Sequence, residues 1–289
     1  MLQREAGLKR LICDSQVHAP NTPHAGPIDG MEADALVREM ETAGVSRCVI
    51  VPMVPPGSDA GASNGAAVDM AQGDLERFGV MAPLDLTRPE NARRLETWRS
   101  QRGMLGIRLA FLRDPNLSLL VAGRLEWLWD AAEEAHIPIM LLAPGLQGDV
   151  DRVAARHPRL RLVVDHLNLD PRVVYDDLRL AIQPLLGLAW HQNVAVKASA
   201  LPCWATDRFP FPSLHDPIAS VVNAFGAQRV FWGSDLTRLP CTYSESVRLF
   251  TEELPFLDDS EKDWIMGRGV SEWLRWNAGA PDAADGFLG

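Results

Sequence analysis

The chain is poor in cysteine. It has four, Cys13, Cys48, Cys203 and Cys241, and none forms a CxxC pair. Cys13 and Cys48 sit in apolar strand patterns, so the set reads as reduced thiols of a cytoplasmic protein rather than a disulfide framework. No apolar run is long enough to span a membrane, and Met1-Leu-Gln-Arg-Glu5 lacks an apolar signal core. The expectation is no membrane partner. There is no excess of positive charge either: 28 Lys and Arg face 38 Asp and Glu, a formal net charge of -10. That argues against a nucleic-acid partner. It would also repel anionic substrates unless arginines focus them locally. No Gly-rich phosphate loop follows the first apolar run, which argues against an open dinucleotide-binding sheet. What remains is ordinary globular material, 47% hydrophobic and 23% charged, with ample stock for a core in 289 residues.

Short apolar runs with strand character alternate with helix-period segments. The stretch Arg10-Leu-Ile-Cys-Asp-Ser-Gln-Val-His18 begins as a buried strand and ends in polar groups, with Gln16 and His18 on one face. Further strands are expected over 46–52, 77–83, 104–109, 137–142, 160–166, 194–198 and 229–235. Between them, helices are expected over 31–44, 64–72, 89–99, 124–136, 149–156, 173–190 (kinked near Pro184) and 218–225. Two more, over 245–253 and 260–276, follow the last strand, and the Ala/Asp/Gly-rich tail 279–289 reads as frayed. Eight repeated strand–helix units predict a parallel sheet with right-handed crossovers. In a chain of this length they predict a single (β/α)8 TIM barrel domain over 1–289, running from about Leu11 to Asp235, with the extra C-terminal helices packed on its outside.

Barrel enzymes carry chemistry at the C-terminal ends of their strands. Here those ends supply Gln16 and His18, Arg108, Asp165 and His166, Lys197 and Ser199, and Ser234 and Asp235. A carboxylate that can only accept, Asp235, suits a general base; imidazoles and an amide suit donors to a developing oxyanion. Arg108 can hold a carboxylate or sulfonate through its planar fork, with Arg113 and Arg238 in neighbouring loops as second candidates. Ser199 and Trp204 are candidate substrate contacts, and the aromatic loop 204–212 is a candidate lid or wall. Lys197 is expected in the barrel core, paired with Asp14 or Asp165 in a structural role.

Asp14-Ser-Gln-Val-His18, Gly106-Ile-Arg108, Val163-Val-Asp-His166, Val196-Lys-Ala-Ser199, Phe231-Trp-Gly-Ser-Asp235 and Trp273-Leu-Arg-Trp276, in that order, resemble the amidohydrolase superfamily in its amidohydrolase 2 branch. Within it the chain is most similar to lactonases related to 2-pyrone-4,6-dicarboxylate lactonase and 4-sulfomuconolactone hydrolase. The resemblance covers nearly the whole chain. In that family strand one usually carries a His-x-His pair; here Gln16 replaces the first and His18 matches the second. His166 matches the strand-six histidine and Asp235 the strand-eight aspartate. Leu141-Leu-Ala-Pro144 has no strand-five histidine.

The resemblance implies a hydrolase opening the lactone ring of a small anionic compound, carboxylate- or sulfonate-bearing, as in aromatic or sugar-acid catabolism. Asp235 would activate the water, with His18, His166 and Gln16 beside it. Amide oxygen is a poorer zinc ligand than imidazole, and the Gln16 amino group repels a cation, so no metal cofactor is expected. A single divalent ion, zinc or manganese, would instead be held by His18, His166 and Asp235. The alternatives are a metal-dependent non-oxidative decarboxylase of the same branch, or a catalytically impaired barrel that binds a ligand. A homo-oligomer stays open.

Overall fold

The computed structural model describes residues 10–19, 32–53 and 60–276. Its eight strands are β1 (Cys13–Val17), β2 (Arg47–Ile50), β3 (Phe78–Ala82), β4 (Met104–Ala110), β5 (Ile139–Leu142), β6 (Leu162–Val164), β7 (Val194–Ser199) and β8 (Val230–Gly233). They lie in the sheet in chain order, and the seven consecutive pairings are parallel. Just past the strand ends β8 meets β1: Asp235 N–H donates to Gln16 O at 3.0 Å, and His18 N–H donates to Leu236 O at 3.1 Å. The sheet therefore closes into the (β/α)8 barrel that the strand–helix alternation predicts.

Alternation along each strand sorts side chains into two layers. Ile50, Val80, Ile107, Ile139, Leu162, Val196 and Trp232 join the large core beneath the helices. Cys13, Val49, Met81, Leu105, Met140, Val163, Ala195 and Phe231 form a separate inner core. Val270, Leu274 and Trp276 pack on that inner core. The last described helix and Trp276 thus plug the bottom of the barrel, where the sequence reading put the C-terminal helices on the outside. Gly267 permits the close approach, because a Cβ there would lie 2.6 Å from the Leu11 carbonyl oxygen. Arg99 donates to the carbonyls of Leu274 (3.1 Å) and Arg275 (3.0 Å), and Arg161 to those of Glu272 (3.0 Å) and Trp273 (2.8 Å). These carbonyls end the helix Gly269–Trp273, where its own ladder runs out, and Glu272 O also accepts from Arg275 N–H at 3.2 Å.

A second correction concerns 173–190, read as one kinked helix. Only Leu178–Ala181 and Gln183–Leu186 are α-helical, followed by a tight turn over Gly187–Trp190. Pro184 sits in the first turn of the second piece, where its missing N–H removes no helical bond. Asp177 caps the first piece through the N–H groups of Arg179 and Leu180. The tail 279–289 lies outside the described residues. Among the described residues no helix is long and apolar enough to cross a membrane.

Candidate active site at the barrel mouth

Pairing of β1 with β2 shifts register between Asp14 and Val17. Such a bulge re-aims the side chains beyond it. Cys13 belongs to the inner core, yet Gln16 and His18, three and five residues on, also face inward. Asp14 is left on the other side of the strand. There it accepts from Gln16 N–H (3.0 Å), Ser234 N–H (2.8 Å), the Tyr243 hydroxyl (2.7 Å) and the Ser234 hydroxyl. Burial pushes the Asp14 carboxyl up to about 6, against the pull of those four bonds.

The chain leaves β6 through three consecutive left-handed residues, His166, Leu167 and Asn168 (φ 52°, 51° and 58°), and leaves β8 through Asp235 (φ 56°). Non-glycine residues there carry strain of roughly 1–3 kcal/mol each, which the surroundings must offset. Asn168 is held at both ends of its amide: Oδ1 accepts from Ala143 N–H (2.9 Å) and Nδ2 donates to Ala143 O (2.8 Å). Ala143 lies just past β5, so an asparagine clamp fills the place of the absent strand-five histidine. Gly233 lets β8 press against its neighbours, since a Cβ there would sit 2.5 Å from Ser15 Oγ.

Asp235 is the centre of the resulting cluster, with its side chain 1% exposed. Oδ1 accepts from Gln16 Nε2 at 2.7 Å and lies 3.0 Å from His18 Nε2. Oδ2 lies 3.2 Å from Arg238 Nη1 and 3.8 Å from His166 Nε2. Burial alone would raise this carboxyl. Interactions with His166, His18 and Arg238 overcome it and hold Asp235 well below the usual carboxylate range.

The two histidines meet different partners. His18 Nδ1 is 2.9 Å from the Val51 carbonyl, which can only accept. Its Nε2 faces the Asp235 carboxylate at 3.0 Å. His166 Nε2 is 3.3 Å from the Gln16 amide nitrogen and accepts from it. Its proton then sits on Nδ1 and is donated to Ser199 Oγ at 2.8 Å. Burial pushes the His166 pKa down to about 4, aided by Lys197 and Arg108 and opposed by Asp235 and Asp165.

Lys197 is fully buried. It forms an ion pair with Asp165 Oδ1 at 2.8 Å and donates to Gln16 Oε1 and to Met140 Sδ at 3.5 Å. Asp165 Oδ2 accepts from Arg108 Nε at 3.0 Å. Of the two carboxylates considered for Lys197, the structure chooses Asp165, because the β1 bulge leaves Asp14 facing away. The link from Lys197 to Gln16 was not legible in the sequence, which shows alternation but not reach across a barrel.

Of the other candidates, Arg108 is partly buried and has no partner at its Nη end among the described residues. Arg238 pairs with Asp235 itself, and Ser199 holds His166. Arg113 is exposed, and among the described residues no hydrogen bond or ion pair joins it to the cluster. Trp204 is buried with its ring 6.3 Å from that of His166, so this end of the aromatic loop walls the site. Further along, Phe211 is in the core and Phe209 lies under Arg248. Tyr243, one of two tyrosines in the chain, was not singled out; nothing in its local sequence signals that it reaches Asp14.

A divalent ion fits this donor set poorly. Lys197 occupies Gln16 Oε1, so the amino end of the amide faces the site. Its N–H groups point at Asp235 Oδ1 and His166 Nε2, two of the atoms a cation would need. Among the described residues no three His, Cys, Asp or Glu side chains are grouped to hold a metal ion.

Known proteins place the chain. An L-fucono-1,5-lactonase of Burkholderia ambifaria is 38% identical over 85 residues, a match spanning 28% of this chain and 28% of that protein. A crystal structure of a zinc-bound amidohydrolase from Burkholderia multivorans superposes with a TM-score of 0.78 at 21% identity, covering 92% of this chain and 99% of the other. A probable 2-pyrone-4,6-dicarboxylic acid hydrolase from Acinetobacter baumannii, with citric acid bound, superposes at 0.68 and 17% identity over 93% and 100% of the two chains. At these identities the structures speak for the fold. The sequence model of the amidohydrolase family matches residues 14–268, nearly the whole chain and every strand-end group named above, and this protein belongs to that family.

Proposed function

We propose that this protein is a hydrolase that opens the lactone ring of a small carboxylate- or sulfonate-bearing compound. The observation that carries the reading is a buried Asp235 kept ionised among donors, at the same barrel mouth as Arg108, whose Nη edge has no partner among the described residues. In the reaction Asp235 takes a proton from water as the water oxygen bonds to the lactone carbonyl carbon. As Asp235 takes up the proton it loosens its hold on the donors around Oδ1, and the carbonyl oxygen, gaining negative charge, accepts from the His18 and Gln16 N–H groups that meet there. The ring C–O bond then breaks and the leaving oxygen takes the proton from Asp235. The new carboxylic acid ionises in water, so each turnover releases one proton. Neutral His166 keeps Gln16 in place and adds no charge to repel a water.

The lactonase named among the relatives and the pyrone-dicarboxylate hydrolase among the structures support the substrate class. The four unpaired cysteines agree with a cytoplasmic location. A non-oxidative decarboxylase is the rival, and the amide in place of the first strand-one histidine weighs against its metal. Acid-bearing lactones and their neutral methyl esters, followed with a pH indicator alongside carbon dioxide measurement on aromatic acids, test the reading. Expected is saturable proton release on the acidic lactones. Arg108→Met should raise KM for an acidic lactone by roughly 10- to 100-fold, the worth of a charged hydrogen-bond pair, and leave the ester almost unchanged. Carbon dioxide release without lactone hydrolysis would overturn the assignment.

A further inference from the structure

A lysine buried in a strand ordinarily serves the fold by neutralising a carboxylate. Lys197 does this for Asp165 at 2.8 Å, but that uses one of its three donors. A second goes to Gln16 Oε1 and the third to Met140 Sδ at 3.5 Å. The second has a chemical consequence. The two ends of a carboxamide are alike in size and opposite in polarity, so charge rather than shape chooses which end faces where. With the ammonium on Oε1, the amino end is turned to Asp235 Oδ1 at 2.7 Å and to His166 Nε2 at 3.3 Å. The reversed amide would set its amino group against the ammonium and its oxygen against a carboxylate.

We propose that Lys197 is a positioning residue for the water-activating group, fixing through Gln16 which end of the amide meets Asp235 and His166, and tying the same cation through Asp165 to Arg108. This rests on the reading of Asp235 as the base. The connection runs Arg108 to Asp165 (3.0 Å), Asp165 to Lys197 (2.8 Å), Lys197 to Gln16, and Gln16 to Asp235 (2.7 Å). It joins β4, β6, β7, β1 and the end of β8, so the anion-binding side and the base share one framework. One result is the His166 tautomer: because Nε2 accepts from Gln16, the proton stays on Nδ1.

Lys197→Met alone strands the Asp165 charge and can fail to fold. The paired variant Lys197→Met/Asp165→Asn removes both charges at nearly constant volume, and Gln16→Leu leaves the ion pair intact. The first readout needs no substrate: nitrogen NMR of histidine-labelled protein, with His166 assigned by its loss in His166→Gln. Wild type should show His166 protonated at Nδ1. Gln16→Leu and the paired variant should both move the proton toward Nε2, which faces Asp235 Oδ2 at 3.8 Å. The second readout is turnover of an acidic lactone that wild type hydrolyses. kcat should fall about 10- to 100-fold in each variant and no further in the triple variant, since residues acting through one another are not additive. A folded paired variant with wild-type His166 signals, or losses that multiply, would reduce Lys197 to a structural ion pair. If wild type turns over no lactone, the function reading fails and the tautomer still decides this one.

Discussion

At the bottom of the barrel Arg99 and Arg161 point into backbone carbonyls, two bonds each, and so hold the last helix in place. At the mouth Arg108 binds Asp165 through Nε and, among the described residues, through nothing else, and Arg238 joins an ionised carboxylate already crowded by donors. The bottom arginines even crowd one another: burial first, then Arg275 and Arg99, push the Arg161 pKa down. Fixed carbonyl dipoles make that tolerable. Left-handed non-glycine residues occur at both ends, His136 and Arg275 at the bottom and His166, Leu167, Asn168 and Asp235 at the mouth. At the bottom the arginines are answered by the fold, although the buried Ser271 Oγ and Trp273 Nε1 have no hydrogen-bond partner among the described residues. At the mouth the Nη end of Arg108 has no partner among the described residues, and there a substrate can answer it instead.

The largest break in this contrast should come at the mouth. Asp235→Asn keeps size and removes the base, and kcat on a cognate lactone should fall by roughly two to four orders of magnitude. Its melting temperature should change far less than the rate does, and near-wild-type turnover would remove Asp235 from the role.

The mirror experiment lies at the bottom. Trp276 packs in the inner core plug and its indole N–H donates to Leu75 O at 3.2 Å. Trp276→Ala should cost about 3–5 kcal/mol in urea unfolding while leaving kcat and KM of the folded fraction unchanged. A selective change in KM would couple the two ends and blunt the distinction.

A smaller effect separates the groups by pH. His166 titrates near 4 in the fold against an ordinary 6.5. Between those values the unfolded chain binds a proton that the folded one refuses, so this group makes stability rise with pH and its contribution is lost as pH falls. Asp14 acts in the opposite sense: raised from 3.8 to about 6, it keeps a proton that the unfolded chain has released. From about 4 to 6 the two slopes offset, each at most about 1.4 kcal/mol per pH unit. His166→Gln should therefore unmask a stability that declines with rising pH in that window. A variant profile parallel to wild type would place His166 in an ordinary, solvated environment.

The smallest expected effect is that of metal removal. Protein purified without chelator should keep its activity after strong chelation, because the Gln16 amino end and Lys197 occupy the positions a cation would need. Stoichiometric zinc or manganese by elemental analysis, with activity lost on its removal, would make His18, His166 and Asp235 ligands first.

The barrel was legible because it rests on short-range information. Strand and helix periods are properties of neighbouring residues, and eight alternations allow few topologies. The same holds for which residues end strands, so Gln16, His18, Arg108, His166, Lys197 and Asp235 could all be named from the order of the chain. The break over 173–190 was missed because helical spacing continues across it, while Asp177 and Pro184 start new turns by local bonding.

Tertiary structure alone decided what those strand ends do to one another. The β1 bulge parts Asp14 from Gln16 and His18, a shift of register that no alternation rule contains. Closure of β8 on β1 brings Asp235 to residues some 220 positions earlier in the chain (|i−j| = 219 for Gln16). The left-handed exit from β6 turns His166 onto the Gln16 amide. Whether Lys197 met Asp14 or Asp165, whether Arg238 faced substrate or Asp235, and whether the last helix lay outside the barrel or plugged it were set the same way. Each depends on contacts between distant segments, whose geometry exists only once the barrel has closed.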